Sequence, residues 1–388
     1  MATDDKRDLK LGAPSERFLS VMKILFVRVS AIGDVIHTLP ALFMIKKLYP
    51  ESSISWLVQK KAAALLVDQP ILDKTWVLPD NYLAAKNLPI TIHIMKEIRA
   101  TQWDAIIDFQ GILKTSILLY FLHGKKYGFD SAHARDRFTT WFTDVQISPV
   151  YTNIIQKNLA LASHAIYDLQ NSYTTCPSIT SMRKDFTLAI PESKQNTVRA
   201  WLTEHTLKKY ILLAPNTTWE SKLWPETYWR QLFELLHERK NTSFEYDTIL
   251  LGKDFGNPAQ TLAQYIHDHN LSIKVSPRWD LLTTAHLLTH ASLIIGPDTG
   301  LIHLADFLGV PSISIFGPTN KDKHGPFLTD QNCSNAIQIK CPHVYEKTHG
   351  KNQNAGHTTN CMYKLTPTML YNKIMAILET PSYPSTRS

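Results

Sequence analysis

The stretch that most constrains the fold runs from Ala291 to Thr319. An apolar run, Leu293 to Ile295, stops at Gly296-Pro297, and the small polar turn Asp298-Thr299-Gly300 follows. A helical pattern comes next, and then a second apolar run from Ser312 to Phe316. This reads as strand, turn, helix, strand, with the turn at the carboxyl end of the first strand. Open parallel α/β sheets bind their ligands at that end. Asp298-Thr299-Gly300 falls where a helix begins, so free backbone N–H groups and the positive end of the helix dipole face the ligand. A phosphate is the expected occupant.

The same alternation fills most of the chain. In the first half, Lys23 to Val29 reads as a buried strand, and an amphipathic helix then runs to about Tyr49, where Pro50 stops it. Strand patterns recur at Ile54 to Val58, Lys74 to Leu78 and Asp104 to Asp108, with helical ones at Ala62 to Val67, Ile92 to Ala100 and Leu113 to Phe121. In the second half, the strands Tyr210 to Ala214 and Tyr246 to Leu251 alternate with helices at Pro225 to Arg239, Ala259 to His269 and Leu281 to Thr289. Strands alternating with helices predict an α/β fold of parallel, doubly wound sheets.

At 388 residues, the chain has room for two such domains. The first is predicted over 21–170 and the second over 187–366, joined by a Ser/Thr-rich linker at 171–186. An amphipathic helix over 367–379 is expected to pack back on the first domain. Residues 1–20 and 380–388 are polar and expected to be disordered. No stretch reaches the ~18–20 apolar residues of a membrane span, and the amino-terminal residues hold no apolar signal core. Four cysteines do not make a disulfide framework in a chain this long, which fits a reducing cytosol.

The net charge of +7 favours an anionic partner. The basic residues are scattered in pairs such as Lys46-Lys47 and Lys208-Lys209 rather than clustered, which argues against nucleic acid.

Two turns could carry chemistry. Ser30-Ala-Ile-Gly33-Asp34 follows the first strand but has neither the three-glycine dinucleotide fingerprint nor a P-loop, so a nicotinamide-dependent dehydrogenase is disfavoured. Asp34 can act there as a general base toward a hydroxyl, or it can simply cap the helix. Asn216-Thr217-Thr218 and Lys222 flank another strand-to-helix loop and suit phosphate binding, although a solvated lysine after a capping turn would look the same. Trp279 can pack on a base or lie half-buried. No Asp-x-Asp pair is present, and Cys333, Cys341, His343, His349, His357 and Cys361 lack zinc-site spacing, so no metal is expected.

Taken together, Val29-Ser-Ala-Ile-Gly-Asp34-Val-Ile-His37-Thr-Leu-Pro40, Asp108-Phe-Gln110-Gly111-Ile-Leu-Lys114, Lys222-Leu-Trp-Pro-Glu226 and Gly296-Pro-Asp298-Thr299-Gly300-Leu301-Ile-His303 resemble the ADP-heptose:lipopolysaccharide heptosyltransferases of glycosyltransferase family 9. The resemblance runs from about Met22 to Thr319. Leu122 to Arg135 looks most like the member that adds the first heptose to the Kdo residues of lipid A. The Cys333 to Cys361 segment is closer to enzymes adding later heptoses.

The resemblance implies a GT-B architecture, two Rossmann-like domains facing a cleft, and inverting transfer without a metal or other cofactor. Asp34 would deprotonate the acceptor hydroxyl, and Lys222 with the Thr299, Gly300 and Leu301 amides would neutralise the departing ADP. Asp298 would orient the heptose or Lys222. The donor side would comprise Thr217, Thr218, Lys222, Trp279, Asp298, Thr299, Gly300, Leu301 and His303. The acceptor side would comprise Gly33, Gln110, Lys114 and Arg135. The implied partners are ADP-heptose, a Kdo-lipid A or inner-core lipopolysaccharide acceptor and the inner face of the inner membrane, with the protein a cytoplasmic, peripheral monomer. The alternatives are a GT-B transferase with another nucleotide sugar and a non-catalytic ADP-heptose-binding protein. The latter would need the donor residues but no acceptor-side base.

Overall fold

The computed structural model describes residues 21–171, 177–240, 244–252, 257–328, 334–339 and 359–379. The two terminal extensions and most of the Cys333–Cys361 segment lie outside these residues.

Two six-stranded parallel sheets carry the chain. The first comprises β1 (Lys23–Val27), β2 (Ser53–Gln59), β3 (Lys74–Leu78), β4 (Ala105–Asp108), β5 (Lys125–Phe129) and β6 (Val145–Ile147), in the order β3-β2-β1-β4-β5-β6. The second comprises β7 (Tyr210–Leu213), β8 (Asp247–Leu250), β9 (Ile273–Val275), β10 (Leu293–Pro297), β11 (Ser312–Phe316) and β12 (Ser334–Gln338), in the order β9-β8-β7-β10-β11-β12. The two orders are the same. Helices cover both faces, so β4, β7, β10 and β11 are buried along their whole length and read as unbroken apolar runs.

In each sheet the order in which strands are added reverses between two neighbouring, parallel central strands, β1 beside β4 and β7 beside β10. The loops leaving those strand pairs part to either side and open a crevice at the carboxyl ends. The four loops are those that the sequence marks for chemistry: Asp34 follows β1, Gln110 follows β4, Lys222 follows β7 and Asp298 follows β10.

The helix expected from β1 to about Tyr49 is two helices, Ile32–Ile36 and Leu39–Leu48. Pro40 has no N–H to continue the ladder, but it fits the first turn of the second helix. Thr38 bridges the break, its hydroxyl donating to the Asp34 carbonyl at 2.9 Å.

The Pro367–Leu378 helix forms where expected but packs elsewhere. Its buried Leu370, Ile374, Ile377 and Leu378 meet Trp229, Phe233 and Leu236 of the Glu226–Lys240 helix in the core of the second sheet. Trp224 fixes the approach by donating its indole N–H to the Leu365 carbonyl at 2.9 Å. Packing on the first domain is corrected accordingly. There the Ile154–Gln170 helix covers the Leu39–Leu48 helix and supplies the apolar partner instead.

The two domains share a continuous apolar core. Phe43 of the first domain, Phe186 of the connector and Phe307 of the Gly300–Leu308 helix interlock, with ring centroids 5.3 to 5.7 Å apart. No described helix is long and apolar enough to cross a membrane.

Candidate active site

The cleft closes on two helix N-termini. The Ile32–Ile36 helix of the first domain abuts the Gly300–Leu308 helix of the second. Glycine makes this approach possible. A Cβ on Gly33 would lie 3.0 Å from His303 Cδ2, and one on Gly300 would lie 3.1 Å from Ile32 Cγ2. Two carboxylates, Asp34 and Asp298, flank the seam.

Asp34 both caps and pairs. One oxygen accepts a long 3.3 Å bond from the Ala31 N–H, and the other takes the Arg28 guanidinium at 3.0 Å. Arg28 is itself buried and also donates to the Phe109 carbonyl. Burial pushes the Asp34 carboxyl up, but the Arg28 guanidinium, His37, the Ala31 N–H and His324 together outweigh it and hold the group at about 2. The carboxylate is therefore ionised at any physiological pH, and 30% of its side chain remains open.

Asp108 and Gln110 build the floor of this loop. Buried Asp108 accepts the Gln110 and Gly111 N–H groups at 2.9 and 3.1 Å and the Ser116 hydroxyl at 3.1 Å. Burial raises its pKa, against the pull of those hydrogen bonds. The turn presents the Gln110 amide oxygen to the Val29 and Ser30 N–H groups at 2.9 and 3.2 Å. Gln110 thus shapes the loop that carries Asp34, a more indirect part than acceptor contact. Lys114 and Arg135 lie exposed on the same side, Arg135 next to Gly111.

The second carboxylate is fully engaged. Asp298 accepts from Lys222 Nζ at 2.6 Å and from the Thr319 hydroxyl at 2.8 Å on one oxygen, and meets His303 Nε2 at 3.0 Å with the other. Burial opposes its charge, but His303 and Lys222 hold it far below the usual carboxylate range. The Lys222 ammonium also sits 5.0 Å from the Trp219 ring. Thr299 caps the Gly300–Leu308 helix by position only. Its hydroxyl is buried without a hydrogen-bond partner among the described residues.

The remaining donor-side candidates divide. Thr217 turns inward to accept the Trp219 N–H at 3.3 Å, while Thr218 is exposed beside it. Leu301 lies in the first turn of the Gly300–Leu308 helix. Trp279 is half-buried edge-on to Trp201, with ring centroids 5.4 Å apart.

Sequence reasoning passed over several groups. Arg28 was read only as part of a strand, although a charge inside an apolar run is itself a signal. His37 packs on His303 across the seam at 4.2 Å, with His324 at 6.2 Å on its other side. Burial, reinforced by His303, keeps His37 neutral, and its Nδ1 has no hydrogen-bond partner among the described residues. Burial likewise lowers His324 to about 4, against the attraction of Asp298 and Asp34. Thr319 lies just past the carboxyl end of β11 and could have been found from that position alone. Among the described residues, no group of His, Cys, Asp or Glu is placed to hold a metal ion.

A fixed carboxylate thus lies across a narrow seam from a partly buried lysine and a helix N-terminus. Such a site suits transfer from a phosphate leaving group to a hydroxyl.

Comparison with known proteins gives this arrangement a family. Residues 91–353 match glycosyltransferase family 9 (heptosyltransferase). The chain is 29% identical over 321 residues to lipopolysaccharide heptosyltransferase 1 of Pseudomonas aeruginosa, covering 80% of this chain and 82% of that protein. It is 26% identical over 351 residues to the Escherichia coli K12 protein of the same name, covering 84% and 99%. Among solved structures, E. coli heptosyltransferase WaaC with ADP superposes with a TM-score of 0.71 at 21% identity, over 92% of this chain and all of that one. E. coli ADP-heptose lps heptosyltransferase II gives 0.68 at 17%, over 92% and 99%. These structures share the GT-B fold, and the match over more than half of the sequence decides the identity: the chain belongs to glycosyltransferase family 9 and is a heptosyltransferase of the lipopolysaccharide core.

Proposed function

We propose that the protein transfers heptose from ADP-heptose to a Kdo or heptose hydroxyl of the inner core, with inversion and without a metal. The observation that carries this reading is the pairing across one seam of Asp34 with the Lys222–Asp298 site at the head of the Gly300–Leu308 helix. Asp34, ionised throughout the working pH range, takes the proton of the acceptor hydroxyl as its oxygen attacks the anomeric carbon. The bond to the diphosphate breaks on the opposite side of that carbon, so the configuration inverts.

Negative charge then develops on ADP. Lys222 shifts from Asp298 toward the phosphates, and the free N–H groups of Thr299, Gly300 and Leu301 complete the cradle. Fixed cation and amides supply the electrostatics that a divalent ion would otherwise provide. Asp298, released from Lys222 but still held by His303 and Thr319, keeps the loop in place. The domains divide the work, the first taking the acceptor and the second the donor. The protein acts as a monomer on the cytoplasmic face of the membrane that holds the lipid-linked acceptor.

The test is transfer from ADP-heptose to Kdo-lipid A by wild type and Asp34→Ala, each also measured after exhaustive chelation. The expected result is no turnover in the variant, with ADP still raising its melting temperature, and an undiminished wild-type rate after chelation. Near-wild-type turnover by the variant would remove Asp34 as the base, and lost turnover after chelation would remove the metal-free mechanism.

A further inference from the structure

We infer that the Leu113–Tyr120 helix and the Arg137–Phe142 turn, which pack on each other, form the surface that docks the first domain on an anionic lipid bilayer. The aromatic side chains there are unusually open: Tyr120 is 65% exposed, Phe121 54%, Phe138 41% and Trp141 77%. They form two ring groups on this packed pair of elements rather than isolated rings. Tyr120 stands 5.4 Å from Phe121 and 6.1 Å from Phe142, and Phe138 lies 5.2 Å from Trp141. A contiguous exposed apolar patch marks an interaction surface, whereas single exposed residues do not.

The charges choose the occupant. Between Leu113 and Phe142 the only acidic residues are Asp130 and Asp136, and both are used locally. Asp136 accepts the Leu113 N–H at 2.9 Å, and Asp130 binds His133 at 2.7 Å. Lys114, Arg135 and Arg137 remain exposed around the rings, and the Arg137 guanidinium lies 4.8 Å from the Phe138 ring. Trp and Tyr ringed by cations match the interfacial zone of a membrane, where rings sit at headgroup depth and cations meet lipid phosphates. A second copy fits poorly. A two-fold interface sets the same patch against itself, so these cations would face their own counterparts.

The position suits the reaction, a point that rests on the function proposed above. The Asp136 N–H donates to the Gly111 carbonyl at 2.9 Å, so the patch is one turn away from the loop that carries Asp34. Docking would bring a lipid-anchored acceptor to that lip.

The experiment is co-sedimentation with phosphatidylcholine vesicles, pure or containing phosphatidylglycerol, using wild type and the Tyr120→Ser/Trp141→Ser double variant. Melting temperature and transfer to a delipidated, water-soluble acceptor are followed in parallel. Wild type is expected to bind the anionic vesicles in a salt-sensitive way, and the variant about tenfold more weakly, with its melting temperature and soluble-acceptor rate unchanged. The proposal is overturned if wild type ignores anionic vesicles, if the variant binds them as well as wild type does, or if the substitutions instead dissolve a concentration-dependent dimer. The vesicles carry no sugar, so failure here leaves the transfer reading standing. Failure of transfer to the soluble acceptor leaves the docking result standing.

Discussion

Arg28 offers the sharpest test of how the site controls its base. Its guanidinium lies 3.0 Å from Asp34 and is the strongest of the groups that, against burial, hold that carboxyl at about 2 rather than the ordinary 3.8. That shift corresponds to roughly 2.5 kcal/mol, which solvent screening of a partly open side chain trims to about 2. Without Arg28, burial is opposed only by His37, the Ala31 N–H and His324, and Asp34 moves back up toward the ordinary 3.8. In the proposed reaction only ionised Asp34 takes the acceptor proton, so Arg28→Met should move the acid limb of kcat/KM upward by about 1 pH unit. Arg28→Lys, which keeps the charge, should return most of the shift. The stability sign is separate. A depressed pKa contributes stability above the unfolded value near 3.8, and this is lost as pH falls toward about 2. The assay is the pH profile of kcat/KM for the three proteins, with circular dichroism confirming the fold at each pH. If the folded Met variant keeps the wild-type acid limb, Arg28 does not govern Asp34 and the electrostatic account of this half of the site fails.

Other perturbations have equally definite outcomes. Lys222→Met removes the closest partner of buried Asp298 and should cost about 1–3 kcal/mol in urea unfolding. It should also lower kcat by ~10²–10³-fold and weaken ADP binding in calorimetry; normal ADP affinity would argue against a phosphate role. Gly33→Ala drives a methyl to 3.0 Å from the His303 ring and should lower kcat/KM about tenfold with little change in melting temperature. Unchanged kinetics would mean that the seam is not this tight during turnover. Asp108→Leu strands the buried Gln110 and Gly111 N–H groups, while the Ser116 hydroxyl keeps the Ile112 carbonyl at 3.2 Å, so a loss of about 2–3 kcal/mol in stability is expected from chemical denaturation. A loss below ~1 kcal/mol would show that the Gln110 turn stands without it.

The central strands were legible because burial on both faces leaves little but apolar residues. β1, β4, β7, β10 and β11 all read that way, and four strand-end loops followed from them. The edges were not. β5 opens with Lys125-Lys126 and contains Gly128, β9 is only Ile273-Lys-Val275, and β6 is short and partly exposed, so none shows a run or an alternation. Within the site, Asp34, Lys222 and Asp298 could be found from their positions after strands. The partners that set their charge were harder to see, because no motif ties them to the carboxylates they meet. Thr319 reaches Asp298 across 21 positions, and the Arg28 guanidinium answers a carbonyl 81 positions away. The packing of the Pro367–Leu378 helix was misjudged for a similar reason. Its amphipathic pattern says that one face is buried but does not name the surface that receives it.

The close approach of Ile32 to Gly300 bears on fidelity. An activated sugar beside a carboxylate base is as vulnerable to water as to the intended alcohol. With the two helix ends in contact, an aliphatic side chain rather than solvent fills the space next to Gly300. Excluding solvent there suppresses the hydrolytic side reaction. Gly33 and Gly300, by letting the two helix ends meet, would then protect the donor from being wasted between productive encounters.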